Sequence, residues 1–127
     1  MGFEEEYEDV LQNIEASIIS VYHEHPEMTD YAVMHSLEAI INHYVSEKIG
    51  RQPKTFSLDK TESEIYKRVK SVCDWRLGYP SAGMPEVDPK TQDEIIQCLK
   101  RILKSAQRWH KHGGRQGYLH FVSQFVP

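Results

Sequence analysis

Nowhere does this chain hold an apolar run approaching the roughly 20 residues that span a bilayer, so no membrane-spanning segment is expected. Only two cysteines are present, Cys73 and Cys98, and neither belongs to a CxxC or Cys/His spacing. That argues against a disulfide scaffold or a structural zinc site. Two reduced, half-buried thiols in a cytoplasmic protein are the expected state. The first residues are no basic leader: Glu4, Glu5 and Glu6 stand where a signal peptide carries positive charge. Gly2 lacks the Ser or Thr at position 6 that myristoylation requires, because Glu6 is there.

The catalytic signatures are missing too. There is no HExxH, no Glu-x-x-His pair of the di-iron bundles, and no phosphate-binding glycine loop: Gly113-Gly114 with Gly117 lacks the GxxxxGK[ST] pattern. Seven histidines invite a metal reading, but His23 and His25, like His110 and His112, are two apart and diverge on a helix. His43 and Glu47, one turn apart, make a surface pair. No nucleophile stands beside a base, and a thiol on an apolar face such as Cys73 is deactivated by its surroundings. Neither a cofactor, a metal nor catalysis is expected.

Most informative is the absence of one sign of charge from each end. Residues 1–47 contain eleven acidic residues and no Lys or Arg, whereas residues 95–127 contain six basic residues and no Asp or Glu. Such sorting concerns partners. Either the acidic end meets the basic end, within the chain or across a dimer, or one end is aimed elsewhere.

What is there is helical periodicity. A length of 127 residues with 39 % hydrophobic and 27 % charged residues fits one globular domain with a real core. Tyr7, Val10, Leu11, Ile14, Ile18, Val21 and Tyr22 form one stripe, ended by Pro26. Thr29 or Asp30 can cap a second helix with Val33, Met34, Leu37, Ile40, Ile41, Tyr44 and Val45 on its inner face, closed by Gly50. After a loop from Arg51 to Phe56, Ser57 or Asp59 starts a third, ending at Gly78. Tyr79 to Pro89 is the longest irregular stretch. Asp88-Pro89 starts a fourth helix that runs to about His112. Residues 116–126 read as a short helix or an apolar arm. The expected fold is all-α: an antiparallel four-helix bundle with a short C-terminal fifth helix, in a single domain spanning 1–127.

Three groups of residues are candidate sites. Lys100, Arg101, Lys104, Arg108 and Lys111 share one side of the fourth helix, with Trp109 at its flank. Cations beside aromatics are the outline of a nucleic-acid binder; a pI near 6.0 argues against it, and a solvated or paired helix face accounts for the same pattern. Arg76 and His110 lie in apolar registers, and with Arg115 they could gather at one bundle end around an anion. Tyr118, Phe121 and Phe125 make the tail too apolar to be left in water, so they are candidate interface residues. The preferred reading is a non-catalytic protein that works by association, as a homo-oligomer or with another protein. Nucleic-acid binding and anion binding are the alternatives, and no membrane partner is expected.

Overall fold

The computed structural model describes residues 3–78, 88–113 and 117–126, the first five of these as backbone alone. Helix α1 spans Phe3–Glu24, α2 Asp30–Ile49, α3 Lys60–Leu77, α4 Pro89–His112 and α5 Gly117–Ser123. No strand occurs among the described residues. The bundle closed by a short fifth helix is the expected one.

Each boundary has a local cause. The last turn of α1 closes with His25 N donating to Val21 O at 2.8 Å, and Pro26 has no N–H to extend it. Gly50 and Gly78 end α2 and α3 in left-handed conformation, with φ of 69° and 83°. Asp59 and Glu62 form a reciprocal capping box at the start of α3: Glu62 N donates to the Asp59 carboxylate at 2.8 Å, and Asp59 N to Glu62 Oε1 at 2.9 Å. Asp88 caps α4 and Pro89 occupies its first turn. At α2 the cap differs from expectation. Thr29 takes the capping position without a side-chain bond, and Asp30 turns its carboxylate away to another helix.

Cross-links between helices define the bundle's directions. His35 meets Glu62 and Tyr44 meets Asp74, so α2 and α3 run parallel. Asp30 meets His110 and Lys48 meets Asp93, so α2 and α4 are antiparallel. Arg68 reaches Ser20 and Glu24 of α1, near its C-terminal end, while Trp75 lies beside Asp9, so α1 and α3 are antiparallel. The sides of the bundle are α1–α3, α3–α2, α2–α4 and α4–α1, leaving α1 and α2 on a diagonal. The parallel α2–α3 side departs from the antiparallel neighbours expected, because the connection between them is long enough to return the chain to the other end. Residues 51–59 supply that connection as nine residues outside any helix, a length that can reach about 30 Å, that of a 20-residue helix. Lys54 N donates to Asn42 Oδ1 at 2.8 Å on the way, and Phe56 packs on His35.

The core joins all five helices. Ile14, Ile18, Leu37, Ile40, Ile65, Val69, Leu99 and Ala106 are fully buried, as are the rings of Tyr44 and Tyr118. Both phenols keep a polar partner, as buried Tyr must: Tyr44 donates to Asp74 Oδ1 at 2.5 Å, and Tyr118 to Glu15 Oε2 at 3.1 Å.

The start of helix α5 is capped by one side chain. Asp30, only 8 % exposed, accepts from Tyr118 N at 2.9 Å through Oδ2 and from Leu119 N at 3.0 Å through Oδ1. The carboxylate of α2 thus caps another helix across 88 residues of sequence. It fits because Gly117 has φ of +52° and no side chain; a Cβ there would land on Asp30 Oδ2. Gly113 is equally tight, since a Cβ would stand 2.5 Å from Trp109 O and 2.9 Å from Gly117 Cα. Gly117→Ala therefore meets both an unfavourable φ and a clash with the cap, and should cost more than about 2 kcal/mol. Asp59→Ala, the loss of an exposed cap, should cost about 1 kcal/mol. Urea unfolding of both variants checks the order; a Gly117→Ala cost at or below that of Asp59→Ala would contradict this junction.

Candidate functional site

The outer face of α4 carries the candidate site. Helical rotation of about 100° per residue gathers Lys100, Arg101, Lys104, Arg108 and Lys111 within a narrow arc opposite the buried Ile95, Leu99, Ile102 and Ala106. All five cations are exposed. From Lys100 to Lys111 the row is about 16 Å long at 1.5 Å per residue.

One of the five is used inside the chain. Arg101 Nη1 lies 3.1 Å from Glu8 Oε1 of α1. The acidic end does meet the basic end, at this pair. Other carboxylates of the acidic half are also occupied internally: Glu15 by Tyr118, Glu24 by Arg68, and Asp30 by α5. By contrast Lys100, Lys104, Arg108 and Lys111 have no ion-pair partner among the described residues. Much of the acidic half is spent on the fold, and most of the basic row is not.

An aromatic lip borders the row. Trp109, half-buried on the flank of α4, stacks on Phe121 of α5 with centroids 4.0 Å apart and planes at 14°. Phe121 in turn meets Phe125 edge-on at 5.1 Å. Phe125 is 69 % exposed. Tyr118, grouped with these two by sequence, is fully buried in its own chain; its place in the α5 register turns it toward Glu15. The apolar surface left to a partner is therefore Phe121 and Phe125.

The anion grouping is not assembled. Arg76, in the last turn of α3, sits beside Thr91, Glu94 and Ile95 near the start of α4. His110 is at the other end of α4, its Nδ1 3.3 Å from Asp30 Oδ2 and its ring against the edge of Tyr31. Antiparallel α3 and α4 put their C-terminal turns at opposite ends of the bundle, so Arg76 and His110 cannot share a ligand. His110 faces a carboxylate, and Arg115 lies outside the described residues. Residues 79–87, most of the long irregular stretch, lie outside them as well.

Of the other expectations, His43 and Glu47 do pair along α2, at 3.2 Å. Cys73 and Cys98 are both buried and free, more deeply enclosed than half-buried thiols. Burial raises both thiols, Cys98 to about 12, and withdraws the thiolate that would react or bind metal. Among the described residues no group of three His, Cys, Asp or Glu side chains could hold a metal ion, and no helix is long and apolar enough to cross a membrane.

Sequence reasoning missed Asp30 as the anchor of α5 and Trp75 as an exposed ring. Asp30 reads as an ordinary cap, and only the pairing of α2 with the chain's end reveals its use. Trp75, next to Arg76 and two residues before the buried Leu77, gives no sign of being 80 % exposed. No family model, curated protein or solved structure matches this chain.

Glu15 offers a check on the Tyr118 contact. Its carboxyl is raised above the ordinary value of 4.5 chiefly by burial, against the lowering effect of the Tyr118 hydroxyl and of Arg101. A carboxyl raised by folding favours the folded state when protonated, and that contribution is lost as pH rises through the folded value. Glu15→Gln should then raise the melting temperature at pH 7, with the gain shrinking on acidification and vanishing below 4.5. A loss of stability at pH 7 would mean that the charged Glu15–Tyr118 bond outweighs desolvation.

Proposed function

We propose that this protein is a non-catalytic association module, and that the α4 face docks an acidic amphipathic segment of a partner protein. The observation that carries this reading is the row of four exposed cations without an ion-pair partner among the described residues, alongside the apolar lip of Phe121 and Phe125. A helix with carboxylates on one side and apolar residues on the other complements both features at once. Phosphate chemistry matches the cations equally well, but the aromatics do not favour it. One face of Trp109 is covered by Phe121, which leaves less of the ring for stacking on a base. The protein's net charge of −4 also works against the approach of a long polyanion. The buried free thiols suit a reducing compartment, and the reading places the protein in the cytoplasm.

The test is a titration with a labelled synthetic peptide of about 20 residues, Glu on one helical face and Leu on the other, followed by anisotropy at low salt. Binding should weaken by about tenfold or more in the K104E/R108E variant and as salt is raised. Phe125→Ala should weaken it at unchanged salt dependence. Single-stranded RNA and duplex DNA are titrated in parallel. Absence of peptide binding, or tighter binding of nucleic acid than of peptide, would overturn the reading.

A further inference from the structure

A second surface, independent of α4, lies between α1 and α3. There Ala16, Ser17 and Ser20 of α1 face Arg68, Ser71 and Trp75 of α3 across a groove of about 850 Å³. Its two ends differ. At one end Trp75 stands 80 % exposed beside Asn13 and Asp9. At the other are Glu64, Lys67 and Arg68, with Ser20 beside Arg68 and Glu64 paired to it at 3.6 Å, so that Lys67 is the cation of this end with no ion-pair partner among the described residues. Ala16, Ser17 and Ser71 lie between and give the groove a low centre.

We infer that two copies of this chain pair isologously across this groove, the Trp75 ring of each seating over Ser20, Lys67 and Arg68 of the other.

The groove offers both halves of a self-fit: a protruding ring at one end, and at the other a low serine wall with the exposed Lys67 beside Arg68. A two-fold axis in the plane of the face and perpendicular to the helices reverses their direction. It lays α1 on α1 and α3 on α3, each pair antiparallel, and exchanges the two ends of the groove. The bulky end then meets the end whose α1 wall is serine. The π face of Trp75 meets the cations Lys67 and Arg68, the pairing that an aromatic ring and a guanidinium or ammonium favour. In the single chain Arg68 already bonds Ser20 Oγ at 3.0 Å and Glu24 Oε2 at 2.5 Å. It is thus held in place for a ring to lie against it, at little further cost in side-chain order. Near the axis the two α1 helices approach most closely, and there the chain has Ala16 and Ser17, small enough to admit it. Trp is the residue type most often dominant at interfaces, and an isologous contact uses it twice.

A second copy is preferred to a foreign helix because both halves of the fit, the ring and the cation-rimmed hollow that receives it, belong to this one surface. The α4 row stands on the corner of the bundle diagonal to α3, so pairing leaves both rows outward. Such a dimer would present two docking faces, and a partner with two acidic segments would gain avidity. The pairing itself does not depend on the α4 reading.

Sedimentation of the full chain at about 100 µM, where even a ~10 µM dimer is populated, tests it. The expected results are a dimer for the wild type and for K104E/R108E, association weakened to a Kd roughly tenfold or more higher for Trp75→Ala, and a monomer for Ala16→Arg. All four are surface changes, and circular dichroism verifies that each variant folds. A single cysteine at the axis adds a geometric readout: Ala16→Cys should form a covalent dimer under mild oxidation, since a residue near a two-fold axis meets its own copy. A wild-type monomer, or a dimer indifferent to both Trp75→Ala and Ala16→Arg, would overturn the inference. A dimer lost only in K104E/R108E would assign self-association to the α4 face and overturn it equally.

Discussion

A single carboxylate sets where the short C-terminal helix of this protein lies. Asp30 begins α2, yet its two oxygens bond the first free amides of α5. Helix α5 has only seven residues, far too few to be stable alone. Its amides would be unsatisfied at a buried helix start without an acceptor, and an anion suits that end of the helix dipole. Gly117 leaves the space the carboxylate occupies, and Gly113 lets the chain come close enough to reach it. From this junction follow the burial of Tyr118, Leu119 and Val122 and the stacking of Phe121 on Trp109. The aromatic lip stands beside the basic row because Asp30 holds it there.

The separation of charge along the chain is resolved in two different ways. Acidic residues of the first half act one by one as caps and partners: Glu8 for Arg101, Glu15 for Tyr118, Glu24 for Arg68, Asp30 for α5. These contacts tie α1 and α2 to the later helices, and each is local. The basic residues of α4 instead stay in an exposed row, of which only Arg101 has an ion-pair partner among the described residues. Ion pairs exposed to water contribute little to stability, so such a row has little to do with holding the fold. A row of like charges raises its own field and is better explained by what it attracts. The same bundle thus has one surface whose chemistry points to an acidic partner and another, on α1 and α3, whose shape points to its own copy.

Much of the fold was legible in the sequence because helix signals are local. Apolar periodicity located α1 to α4, and Gly50, Gly78, Asp59, Asp88 and Pro89 marked ends by backbone chemistry that needs no neighbours. Direction was less legible. The crossover 51–59 holds a proline and polar residues like any loop, and nothing in it announces a chain running back the length of α2. Long-range partners were least legible. The basic row was visible as a periodicity, but that Glu8 would take only Arg101 depends on where α1 lies. The grouping of Arg76 with His110 failed for the same reason: both are last-turn cations in apolar registers, and only the opposed directions of α3 and α4 separate them. Tyr118 shares its composition with Phe121 and Phe125, but its register in α5 places it inside.

The dependence of α5 on Asp30 can be read most directly by amide hydrogen exchange in an Asp30→Ala variant. If the carboxylate is the tether, the amides from Tyr118 to Val122 should lose their protection by orders of magnitude while those in the middle of α1 to α4 keep theirs. Protection of α5 equal to that of the wild type would contradict the account, because the helix would then be held by its apolar face alone. So would a uniform loss across every helix, which would make Asp30 a general support of the bundle instead of the tether of one element.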